Sequence, residues 1–447
     1  MKKKLAALTL SIAMAFSLVA CGGAGLSSAA ATSGSTAGSQ ASSAEPVTVT
    51  VWHMFPEDAE ETLNHQRLLK WAEEFNATNT DNITVEVSGA KTADVIMTTI
   101  ASGSTPDIFQ NYWNNAPTWA DNGALYDMTE FVNSDTEWDK DDFLDSAWNL
   151  CTYEGKVYSI PMTVSTTFMA YRPDILAECG WDHFPTTMEE LAQCIRDCTQ
   201  VEADGTITRM GMIPDYPWLD TVLWPAAFGA HWTDGDAPDF DNPEQIAAYQ
   251  FQRDIYDEYG YDNVRRFIDT LGARATAEDP LFTGKLAMRW SADSGLAQME
   301  EHGEGVDWAI APLPYPEGVE GGQMLTAGVW EMNAKTENPE ATWKVMASLT
   351  SAETQAFLAE GDYNNGQFMP RASALNHLIN DLDVSDAAKQ NAQSLLDEEL
   401  INFPVTSYTS EYLNIITAEM SLALTGETSV EDAAASVQQQ VEELANG

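Results

Sequence analysis

Three short stretches bring flat aromatic rings together with amide and hydroxyl groups: HMFPED at 53–58, QNYWNNAPTW at 110–119 and RWSADS at 289–294. A fourth, YPWLDTVLW at 216–224, offers Trp218, Asp220 and Trp224. The mixture suits a ligand such as a pyranose, which has an apolar C–H face and a rim of hydroxyls. Trp and Tyr supply large contact area at low entropy cost, while Asn, Asp and Arg supply directional hydrogen bonds. Catalysis finds no comparable support. There is no HExxH, GxSxG, P-loop or GxGxxG stretch, and the six histidines at 53, 65, 183, 231, 302 and 377 have no metal-ligand spacing. With 69 Asp and Glu residues, some carboxylate pair will stand at glycosidase distance by chance, so such a pair carries no weight. No cofactor or metal is expected.

These groups need a scaffold, and the flanking sequence describes one. VTVTVW at 47–52 is β-branched and follows Pro46, so it reads as a strand; NITVEV is a second, and a Gly/Pro turn leads into a third at PDIFQNY. Between them, Leu63, Leu68, Leu69, Trp71, Ala72 and Phe75 recur at helical spacing, and a second helix is expected from Lys91 to Ser102. Strand, helix, strand, helix, strand implies parallel pairing and an α/β lobe. Gly155 marks a hairpin turn, and TVSTTFMAY after Pro161 is long and extended enough to cross from one lobe to another. Further strands are expected in TRMGMIP, GKLAMRW, VDWAIAPLPYPEG and MLTAGVWEMNAK, with helices at 188–201, 242–259, 338–360 and through most of the tail. Ligands of α/β sheets collect at the carboxyl ends of strands, which is where the loops HMFPED, QNYWNNAPTW and RWSADS fall.

The amino end has a different logic. Lys2, Lys3 and Lys4 precede a short apolar run from Leu5 to Ala20, which has the build of a secretory signal and falls short of the roughly 20 residues a spanning helix needs. Leu18-Val19-Ala20-Cys21 resembles the lipobox of bacterial lipoproteins, which implies cleavage before Cys21 and a lipid on its sulfur. Residues 22–46 are Gly, Ala, Ser and Thr apart from one Leu, one Gln, one Glu and one Pro, a flexible tether with a reach of about 25–30 Å. Without the signal the chain carries 18 basic against 69 acidic residues, a balance of −51 that disfavours nucleic acid, anionic lipid and acidic substrates. Cys151, Cys179, Cys194 and Cys198 are too few for a disulfide scaffold. One bridge from Cys179 to Cys194 or Cys198 stays open beside four free thiols.

Taken in order, IASGSTPDIFQNYW, NGALYDMTEFV, YEGKVYSIPM, AYRPDILAECGWDHFPTTMEELAQCI, FTGKLAMRW, WAIAPLPYP, NPEATWKVMASLTSAETQAFL and LTGETSVEDAAASVQQQVEE resemble an extracellular solute-binding protein of the sugar-binding family that serves ATP-binding cassette (ABC) importers. The resemblance implies an α/β fold of the two-lobe periplasmic-binding-protein type (type II), its lobes joined by crossing hinge strands. Residues 47–163 with 310–349 are expected to form one lobe, and 164–309 with 350–447 the other. The loop after the third strand is implied as a ligand contact through Asn111, Trp113, Asn114 and Asn115, with paired amides where relatives often have an acid and a base. His53 and Phe55 follow from the first strand, and Ser165 and Thr166 stand where many relatives have a carboxylate. Trp290 takes the place of an aromatic platform, with Ser291 and Asp293 as polar partners. Trp330, Tyr408, Tyr412 and Arg371 complete the candidates. The implied partners are a sugar, the permease of the importer, and the membrane through Cys21, with the body monomeric and extracytoplasmic. A surface-anchored hydrolase or adhesion module, or a binder of a polyol or glycerol phosphodiester, are the alternatives.

Overall fold

The computed structural model describes residues 46–446 apart from 58–62, 104–105, 217–221, 236, 275, 293–294, 363–367 and 399. The signal, Cys21 and the tether lie outside the described residues, as do Trp218, Asp220 and Asp293.

β1 (Val47–Trp52) pairs in parallel with β2 (Ile83–Ser88), Val47 opposite Ile83 and Trp52 opposite Ser88, and β3 (Ile108–Tyr112) joins β1 on its other side, also in parallel. Parallel neighbours need crossover connections, which are α1 (Leu63–Thr78) and α2 (Ala93–Ala101). On one face of the sheet, Leu68, Trp71 and Ala72 of α1 pack with Val49, Val51, Ile83 and Val85. On the other, Ile96 and Ile100 of α2 meet Phe109 and Trp119. Thr92 starts α2 by accepting from the Val95 N–H, a local cap that needs no tertiary help.

Five later strands complete two sheets: β4 (Ser159–Ser165), β5 (Thr167–Tyr171), β6 (Met288–Ala292), β7 (Ala309–Ala311) and β8 (Thr326–Met332). The first sheet runs β2-β1-β3-β8-β4, with β8 antiparallel to both neighbours. The second runs β6-β5-β7, all antiparallel. Only Thr166 separates β4 from β5, so the chain passes from one sheet straight into the other, as the extended run after Pro161 led one to expect.

The second sheet is covered by α3 (Pro173–Glu178), α4 (Met188–Cys198) and α5 (Pro243–Tyr259), and its core takes in Phe168, Leu191, Ile195, Tyr249, Met288 and Trp290. α6 (Pro339–Leu349) and α7 (Ala352–Asp362) return to the first lobe, where Trp343, Met346, Leu358 and Ala359 join its core. α8 (Ala372–Asp381) gives Ala374 to the first core and Leu375 and Leu378 to the second. α9 (Asp386–Asp397), α10 (Thr409–Thr425) and α11 (Val430–Ala445) then finish the second lobe. The packing therefore divides the lobes differently from the expected boundaries. Ile310, Leu313, Met324 and Leu325 lie in the second core because β7 pairs with β5, and Met369 lies in the first.

Candidate functional site

The carboxyl ends of β1, β3 and β4 and the adjoining edge of the second sheet are built from backbone pairing, and burial then sorts the aromatic and amide side chains there. His53 leaves β1 fully buried, its Nε2 2.9 Å from His65 Nδ1. Burial, with help from His65 and Lys91, depresses its pKa to about 3, so it stays a neutral structural imidazole. Phe55 is half-buried against the first core.

In β3 the residues Ile108 to Asn111 are buried and Tyr112 is not; its side chain is 51% exposed at the end of the strand. The cross-strand partner of Tyr112 is Gly328, which puts no side chain over the ring. Asn111 turns inward instead, donating to Glu331 Oε2 at 2.9 Å and accepting from the Tyr112 N–H and from Asn115 Nδ2 at 3.0 Å. Glu331 is fully buried, takes a second bond from Ser159 Oγ at 3.1 Å, and burial raises its pKa to about 8 against the pull of both donors.

Trp113, Asn114 and Asn115 form a single 3-10 turn that meets the second lobe at the start of α10. Asn114 Nδ2 donates to Ser410 Oγ at 3.3 Å, Ser410 Oγ donates back to the Asn114 carbonyl at 3.0 Å, and Thr118 Oγ1 reaches the Ser407 carbonyl at 3.0 Å. Trp113 is buried with its ring 6.3 Å from that of Phe403. Two of the amides nominated from sequence thus belong to a seam between lobes, made with a partner, Ser410, that the sequence reading passed over.

Across the crossing, Ser165 is half-buried and Thr166 is buried. Ala292 of β6 pairs with Thr167, which brings Trp290 and Ser291 to the same edge. Trp290 is 4% exposed and stands edge-on to Trp224, ring centres 4.9 Å apart. Trp224 is core, its Nε1 donating to the Pro214 carbonyl, and Ser291 Oγ turns to Met299 Sδ at 3.4 Å.

Three further nominated residues, Trp330, Tyr412 and Arg371, are buried among structural partners. Trp330 is 2% exposed in the first core because β8 is the fourth strand of a sheet covered on both faces. Tyr412 is fully buried and donates its hydroxyl to the Trp232 carbonyl, while Tyr408 beside it is half-buried. Arg371 is fully buried: its guanidinium donates to the carbonyls of Thr350, Asp139 and Trp138, pairs with Asp142 at 3.3 Å and lies 3.9 Å from the centre of the Phe143 ring. Four of the five guanidinium N–H donors are spent on protein groups, and the side chain is fully buried away from a ligand. A cavity of about 250 Å³ opens on the β7 flank, lined by residues including Phe168, Pro312, Gln323, Asn391 and Glu398, none of them among the nominated residues.

A family model described as bacterial extracellular solute-binding protein matches residues 70–421. The chain belongs to this family. A solute-binding protein of two lobes has solved relatives in shape: CpMnBP1 with mannobiose bound has a TM-score of 0.72 at 19% identity, covering 89% of this chain and 100% of that one. The sugar-binding protein MalE from the phytopathogen Xanthomonas citri has the same score and identity over 90% and 98%. ABC substrate-binding protein Lmo0181 from Listeria monocytogenes, in complex with cycloalternan, scores 0.69 at 16% identity over 90% and 100%. At these identities the likeness shows the two-lobe α/β fold. The extracellular family places the solute-binding body outside the cytoplasm, and among the described residues no helix is long and apolar enough to cross a membrane.

Proposed function

We propose that this solute-binding protein captures a neutral mono- or oligosaccharide between its lobes and hands it to the permease of an ABC importer, held at the membrane by lipid on Cys21. The observation that carries the reading is an exposed aromatic, Tyr112, at the carboxyl end of a parallel strand, next to the amide seam to Ser410 and two strands, across β8, from the crossing at Ser165. Tyr112 supplies the flat surface for a sugar face, and Asn114, Asn115 and Ser165 are the half-buried groups within the same edge that suit hydroxyls. Relatives of the same fold are described with mannobiose, with maltose and with cycloalternan, which favours a carbohydrate over a polyol or phosphodiester.

Capture works by differential contact. A ligand that touches both lobes gains affinity only when they are closed, so it shifts the population toward closure. The seam bonds contribute about 0.5–1.5 kcal/mol each, weak enough to open and too weak to lock the lobes unaided. Moving the balance from 1:99 to 99:1 takes about 5.5 kcal/mol of preference, which stacking and several hydrogen bonds from a sugar can supply.

A thermal-shift screen over neutral mono- and oligosaccharides, followed by calorimetry and product analysis on the best hit, tests the reading. Saturable binding with a raised melting temperature and no product is expected. Release of shorter sugars would favour the hydrolase, and a hit confined to polyols or phosphodiesters would replace the ligand class.

A further inference from the structure

Three of the thiols stand in a row in the second lobe. Cys179 terminates α3, and Cys194 and Cys198 lie one turn apart on the inward face of α4, both fully buried. The Cys198 thiol has the Cys179 thiol as its neighbour on one side and the Cys194 thiol on the other. Arg209 bridges Cys179 and Cys198: its Nε donates to the Cys198 carbonyl at 3.1 Å and its Nη2 donates to Cys179 Sγ at 3.7 Å. Cys151 is elsewhere, beside Glu331, and the four cysteines among the described residues are free thiols.

The geometry points to Cys179 and Cys198 as the partners of one disulfide that forms while the exported chain folds, leaving Cys194 as a thiol. Of the three pairings in the row, Cys194 with Cys198 is excluded by the helix, since residues four apart on one face keep their Cβ atoms about 5–6 Å apart where a disulfide needs about 3.5–4.5 Å. Cys194 with Cys179 would have to pass over Cys198. An extracellular family places the chain where disulfides persist.

The reaction needs a disulfide oxidant R–S–S–R, either a small molecule or a thiol oxidoreductase. The Cys179 thiolate attacks one sulfur, forming a mixed disulfide and releasing RS⁻, which takes up the proton Cys179 lost. The Cys198 thiolate then displaces the second RS⁻, which takes up the proton from Cys198. Two protein thiols are oxidised and one R–S–S–R is reduced to two R–SH. Burial pushes the folded Cys179 thiol up to about 12, so little thiolate exists once the lobe has closed around it. The bridge therefore belongs to folding, and the folded reduced protein resists oxidation.

The test is to reduce and denature the full chain, refold it in a glutathione redox buffer, alkylate under denaturing conditions without reductant, and digest. Cleavage after Glu178, Glu190 and Arg196 puts Cys179, Cys194 and Cys198 on separate peptides. The expected map shows the Cys179 and Cys198 peptides joined, with Cys151 and Cys194 alkylated. Cys194→Ala should keep the joined pair and Cys198→Ser should lose it, with sugar binding measurable in every form. Full alkylation of Cys151, Cys179, Cys194 and Cys198, a peptide joining Cys179 to Cys194, or a bridge surviving in Cys198→Ser would overturn the assignment.

Discussion

Tyr112 ends β3 and Trp290 stands in the middle of β6, and the two aromatic residues differ more than tenfold in exposure, 51% against 4%. Their substitutions should separate accordingly. Tyr112→Ala removes a ring that contributes little to packing, so melting temperature should hold while the dissociation constant for the best sugar rises at least tenfold, about 1.4 kcal/mol. Trp290→Ala takes a ring from its contact with Trp224 and should cost about 3–5 kcal/mol of stability by denaturant titration. If Tyr112→Ala leaves affinity untouched, the aromatic platform lies elsewhere.

The β3–β8–β4 ladder holds a polar network inside a sheet, and Glu331 is its pivot. Its pKa of about 8 lies above the unfolded carboxyl value, so the native state binds the extra proton between roughly pH 4.5 and 8. Stability then falls as pH rises through that window. Glu331→Gln mimics the protonated side chain, and its melting temperature should exceed that of the parent by several degrees at mildly alkaline pH and converge with it near pH 4.5. Parallel curves at all pH values would show that Glu331 is not the group that titrates.

Two sheets that exchange a chain through Thr166 and meet again at the Asn114–Ser410 seam form a hinge with a closing face. Saturating sugar should shrink the radius of gyration in small-angle scattering as the lobes close. An unchanged radius with tight binding would mean that the lobes are already closed when empty, and that closure supplies none of the coupling to the permease.

Much of the scaffold was legible in order. β-branched runs, helix periodicity and Gly/Pro punctuation are local properties, and they located β1 to β3, the helices between them, the Gly155 hairpin and the crossing after Pro161. The same local signals gave a position at the site's edge for QNYWNN, yet not the fate of each side chain in it. Whether a Trp or Tyr becomes platform or core depends on what covers it from another element, as Gly328 leaves Tyr112 bare and Phe403 covers Trp113. Arg371 read as a candidate ligand contact because its partners, the carbonyls of Thr350, Asp139 and Trp138, come from distant chain segments and have no sequence signature. Elements follow from short-range backbone preference; burial, and with it the division between binding and support, follows from long-range packing that only the folded chain assembles.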